Sequence, residues 1–115
     1  MSAADGNALD VESLGKEMLD AARAAVAGRA KALQVLAEME IRRLADVLAD
    51  IAGMLAKGEI DRDRAKTLVR LHRRTVSSVL RSVEGLGILA ADDALKAVTR
   101  VAGAAVNRLL GFKLL

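Results

Sequence analysis

The chain has 115 residues, one domain's worth of length, with a formal net charge of +3 and an apolar share of 53%. It contains neither Pro nor Cys, which removes the strongest helix breaker and any disulfide framework. Its charge-free runs, such as 85–91 and 101–107, are far shorter than the roughly 20 apolar residues a membrane-spanning helix needs, so a spanning chain is excluded.

The apolar share comes from Ala, Leu and Val, and Phe112 is the only aromatic residue. A globular core of this size normally draws on several aromatics. An Ala-rich, aromatic-poor composition fits closely packed helices instead, and the fold class expected is all-α.

In chain order, residues 1–7 read as a loose tail, followed by a single helical domain over 8–115. The first ten residues are acidic and polar and carry no signal-peptide core, so a cytoplasmic location is expected. Asn7 suits an N-cap, with Asp10 and Glu12 placing negative charge near the helix start. Apolar residues then recur at steps of three and four: Leu14, Met18, Ala22, Ala25, and again Leu33, Ala37, Ile41, Leu44, Leu48, Ile51 and Leu55. Gly15, Gly28 and Gly53 have no turn-forming neighbours and read as contacts or mild bends. The spacing therefore predicts one helix over about 8–57, about 75 Å long at 1.5 Å per residue.

The one clear turn is 58–61. Gly58 fits the position just past a helix end, with Lys57 complementing the C-terminal dipole. Asp61 is the N-cap expected for the next helix, with Ile60 and Ala65 as its hydrophobic staple. The second helix is expected over about 62–111, on a stripe of Leu68, His72, Val76, Val79, Val83 and Leu86. Gly85 and Gly87 stand close together and Asp92-Asp93 can cap a restart, so a break there would convert a long antiparallel hairpin into three helices.

A hairpin gives each helix one neighbour, yet the chain between Leu86 and Leu110 is apolar nearly all round. A helix apolar on every side is buried. Self-association into an oligomeric helix bundle is therefore expected, through Leu86, Leu89, Leu95, Val98, Val101, Ala105 and Leu109.

The segment 62–81 carries seven cations, Arg62, Arg64, Lys66, Arg70, Arg73, Arg74 and Arg81, against Asp63 alone. In the hairpin register Arg73 and Arg74 approach Arg42 and Arg43, with Glu38, Glu40, Asp46 and Asp50 also within reach. Arg42, Arg43, Arg70, Arg73 and Arg74 are thus candidate phosphate or nucleic-acid contacts, competing with simple ion pairing. No aromatics interleave to stack on bases. His72, the only histidine, has no second ligand at metal-binding spacing, and its nearest carboxylate by register is Asp46. No catalytic, metal or cofactor site is expected. The cationic, amphipathic stretch from Val106 to Leu115 suits subunit packing or a membrane surface.

These features point to a non-enzymatic, self-associating structural or adaptor protein working through protein–protein contacts, as a homo-oligomer or with a larger protein partner. A nucleic-acid-binding accessory protein is the alternative, and a peripheral membrane or pore-forming protein a further one.

Overall fold

A computed structural model describes residues 9–26, 33 and 35–115. Within them the chain is all-helical, with four helices and no strands: α1 (Val11–Val26), α2 (Val35–Ala56), α3 (Arg62–Ser82) and α4 (Ile88–Leu110). The expected tail over 1–7, with Asn7 as a cap, and Gly28 lie outside the described residues.

Asp10 caps α1. Its carboxylate accepts hydrogen bonds from the Ser13 backbone N–H (3.2 Å) and the Ser13 hydroxyl (3.0 Å). These bonds, the backbone one first, hold the Asp10 carboxyl below its ordinary value of 3.8. The cap therefore stabilises the helix above that value and weakens as pH falls through the lowered one.

The expected single helix over 8–57 is replaced by two, because α1 ends at Val26 and α2 begins at Val35. The chain reverses between them. Gly15 of α1 lies against Ala45 and the Arg42 stem, both 3.8 Å from where a Cβ would sit, while Arg23 bonds Glu38 at 2.7 Å. Rising numbers on α1 against falling numbers on α2 mean antiparallel packing. A 75 Å rod would in any case exceed the longest dimension of the molecule, 42 Å.

The turn between α2 and α3 follows its sequence signals. Gly58 has φ +73°, its N–H donates to Leu55 O (3.1 Å), and the Glu59 N–H donates to Met54 O (2.9 Å). That pair of bonds is a Schellman motif. Asp61 then caps α3 by accepting from the Arg64 N–H at 2.7 Å. Ala65 is buried and Ile60 packs on the core, as a staple requires.

The second helix does break where the two glycines stand. Gly85 and Gly87 have φ of +83° and +86°, and α4 restarts at Ile88. Two contacts fix α4 antiparallel to α3: Arg81 bonds Asp92 (3.0 Å), and the Arg62 guanidinium stacks 4.2 Å over the Phe112 ring. The largest helix interface joins α1 to α4, which closes α1, α2, α3 and α4 into a four-membered ring with only a thin α2–α4 contact across it.

At the far end, Gly111 (φ +78°) donates to Asn107 O, and the chain folds back along α4. The Asn107 side chain accepts from the Leu114 and Leu115 N–H groups (2.8 and 3.1 Å) and donates to Leu115 O (3.2 Å). Leu114 is thereby buried in the core.

The closed ring corrects the reasoning behind the oligomeric hairpin. The chain supplies its own neighbours for α4, with α1 on one flank and α3 on the other. Met18, Ile41, Leu48, Leu80, Leu86 and Val98 form one continuous core with the small side chains Ala22, Ala45, Ala65 and Ala94.

Candidate interaction surfaces

The structure sorts the seven residues expected to mediate self-association. Leu86 and Val98 are fully buried in the chain's own core. Leu95, Val101, Ala105 and Leu109 are half-buried, all but Leu109 packed directly against that core. Only Leu89 projects into solvent, 82% exposed.

Five other large apolar side chains are exposed. Val35, Leu36 and Met39 lie on α2, Leu71 on α3, and Ile88 beside Leu89 at the start of α4. They divide between two faces. Leu36 and Met39 on α2 and Leu71 on α3 are exposed on two helices that pack side by side, on the outer side of the α2–α3 pair. That side also carries Arg43, Asp46 and Asp50, all exposed. Ile88 and Leu89 lie on the α3–α4 side, because Asp92, three and four residues on, reaches across to Arg81.

The basic candidates part company in the same way. Arg42 packs its stem against Gly15, which sets it on the α1 flank of α2, away from α3. Arg43 is exposed and lies 3.6 Å from Glu40 on its own helix. Arg70 and Arg74 are exposed and Arg73 is half-buried, with its Nε enclosed and without a hydrogen-bond partner. Arg62 and Arg73 stand eleven residues apart, as do Arg70 and Arg81, and eleven residues complete just over three turns. Since Arg62 and Arg81 both engage the α4 side, Arg70 and Arg73 lie toward α4 rather than α2. Arg42, on the far flank of α2, does not join Arg73 and Arg74 in one patch.

A different set assembles instead. The α3–α4 contacts set a register in which Arg73 lies opposite Arg100, and Ser77 opposite Lys96. Lys96 and Arg100 are exposed. Neither was singled out by sequence reasoning, because a hairpin pairs 62–82 with 35–57 and leaves 88–110 elsewhere. The signal that would have found them is the Gly85–Gly87 break, which returns α4 alongside α3. The expected neutralisation by α2 acids is also missing: among the described residues, Glu38 pairs with Arg23 and Glu40 with Arg43, and the α3 stripe has one ion pair, Arg81 with Asp92.

Features that resemble catalytic groups are accounted for locally. Thr67, Thr75 and Thr99 donate to carbonyls four residues back, and Ser82 to one three back. His72 is half-buried and forms no hydrogen bond or ion pair with Asp46. No group of three His, Asp or Glu at metal-binding distance occurs among the described residues. A shallow depression near the α2–α3 turn, lined by Ile60, Arg64, Thr67 and Leu68, holds one charged group and no acid. No described helix is long and apolar enough to cross a membrane.

Among the described residues, fold and surface together are those of an all-α protein with four helices, one mixed apolar face and one basic face. Comparison with protein-family models, with curated proteins and with solved structures finds no match.

Proposed function

We propose that this chain is a non-enzymatic helical structural or adaptor protein of the cytoplasm that acts through protein–protein contacts and associates with copies of itself. The observation that carries the proposal is the exposure of three large apolar side chains, Leu36, Met39 and Leu71, on the α2–α3 side, with Val35 at its end. Exposed apolar area of this kind is what association covers.

Charge selects a second copy as the occupant. The α2 surface around Met39 mixes Arg43 with Asp46 and Asp50, so a two-fold related copy brings opposite charges together. The α3–α4 side is nearly all positive and would repel its own image. A larger protein partner could engage the same apolar side chains.

Magnitude sets the expected strength. Six half-exposed side chains across a two-fold interface contribute about 1 kcal/mol each. That sum falls short of the ~8 kcal/mol of a micromolar complex. The association is therefore concentration-dependent rather than obligate.

Light scattering behind size exclusion, run over a range of concentrations, tests this reading. The mass is expected to rise with concentration in the parent chain, and to stay monomeric when Met39→Glu and Leu71→Glu are combined. A parent chain that stays monomeric throughout, or a double variant that associates unchanged, overturns it.

A further inference from the structure

We propose that the α3–α4 side is a peripheral membrane-binding surface, which takes the anionic head groups of a phospholipid bilayer on its arginines and inserts Ile88 and Leu89 among the acyl chains. This site uses none of Leu36, Met39 and Leu71, which carry the proposed self-association; of the residues the sequence suggested for self-association it takes Leu89 alone.

Two independent observations meet on this side. The first is charge. Arg62, Lys66, Arg70 and Arg74 follow one another at intervals of four residues along α3, about 6 Å per step. Arg73 lies on the same flank, and Lys96 and Arg100 run beside them on α4. Against these cations stand Asp63, Asp92 and Asp93 on the two helices, with Asp61 at the start of α3 and Glu84 in the connection to α4, and Asp92 is engaged by Arg81. Cations held near an anionic leaflet each gain a favourable interaction that fades within a Debye length.

The second is the apolar pair. Leu89 and Ile88 are 82% and 64% exposed, although α4 buries its other large apolar side chains wholly or in part. Leu89, Asp92, Lys96 and Arg100 are spaced three, four and four residues apart, so the apolar tip and the α4 cations share a stripe. Gly85 and Gly87, both with positive φ, turn the chain so that this tip projects at the end of the bundle. A cationic face edged by projecting aliphatic side chains is the arrangement that binds a bilayer interface.

A duplex nucleic acid would use the cations but leaves the exposed aliphatic pair without a role. Single strands are recognised largely by stacking on aromatic side chains. Here the only aromatic, Phe112, is already covered by Arg62.

The test is flotation of the full chain with vesicles of phosphatidylcholine, with and without phosphatidylserine, beside a duplex DNA binding assay. Binding is expected only to the serine-containing vesicles and is expected to fall with added salt. Arg70→Glu with Arg74→Glu should reduce it at least tenfold, since each cation near the surface is worth about fivefold. Leu89→Ser with Ile88→Ser should also reduce it severalfold without changing salt sensitivity. All four side chains are exposed, and an unchanged melting temperature checks that the variants fold. No binding to either vesicle, or vesicle binding untouched by Leu89→Ser and Ile88→Ser, overturns the proposal. Binding to duplex DNA with none to vesicles overturns it in favour of a nucleic-acid surface. Loss of self-association in the Met39→Glu, Leu71→Glu chain bears on neither outcome.

Discussion

Single residues decide how each helix begins and ends, and Asn107 shows how much one side chain can hold. Its amide makes three hydrogen bonds to Leu114 and Leu115 and closes the C-terminal segment over Gly103. Replacing it by Ala leaves two backbone donors and an acceptor to find water, at a cost of about 1–3 kcal/mol. Asn107→Ala is therefore expected to speed amide exchange at Leu114 and Leu115 and to lower the melting temperature, with α1–α3 keeping their protection. Unchanged exchange at those two amides would mean that Leu114 burial alone holds the segment. The sequence displayed this asparagine but not its partners, because a helix-interior Asn has no local pattern to distinguish a clamp from a solvated side chain. Asp61 was legible for the opposite reason: it binds the N–H of Arg64, three residues away. Asp10 lies between these cases. It was seen as favourable charge near a helix start, yet it is the cap itself, bonded to Ser13.

At the scale of elements, the glycines separate into two kinds. Gly53 sits inside α2 with open space where a Cβ would stand and no left-handed φ. Ala there should stabilise the protein by up to about 1 kcal/mol through helix propensity. Gly87 has φ +86° and ψ 157°, a region that L side chains essentially avoid, so Gly87→Ala should cost roughly 1–3 kcal/mol. Thermal unfolding of the two variants is expected to move in opposite directions. Equal shifts would mean that the α3–α4 connection is not a stable corner. The same contrast explains what the sequence yielded. The breaks at Gly58 and at Gly85–Gly87 carry residues that only a turn requires. α1 and α2 pack antiparallel although the sequence that joins them is Ala-rich and carries no turn signal. Burial decides there instead, since Val26 and Leu33 both join the core. Tertiary packing of this kind overrides propensity and leaves no local mark.

For the whole molecule, that one unforeseen reversal changes where the apolar surface goes. A hairpin must recruit other chains to cover 86–110, whereas four helices cover most of it internally, leaving Ile88 and Leu89 outside. The break at Gly85–Gly87, in turn, sets Lys96 and Arg100 beside the basic stripe of α3. The all-α class and the cationic residues of α3 were readable, but their partners depended on helix order in space, which no local pattern encodes. The consequence can be tested by comparing a core position with a surface one. Val98 has no solvent exposure and lies between α4's neighbours, so Val98→Glu forfeits about 1.5–3 kcal/mol of burial and adds an unpaired buried carboxylate. The total is a large fraction of the 5–15 kcal/mol that holds a domain of this size. Circular dichroism at low protein concentration is expected to show helix lost in Val98→Glu and retained in Leu71→Glu, because Leu71 is half-exposed and lies outside the core cluster. Were the helices held together only by other copies of the chain, the parent protein itself would lose helix on dilution, and Val98→Glu would merely shift that loss to higher concentration. Helix that persists in the diluted parent and is absent from Val98→Glu at every concentration identifies the core as intramolecular, and leaves the exposed apolar side chains, rather than the α4 stripe, to meet whatever this protein binds.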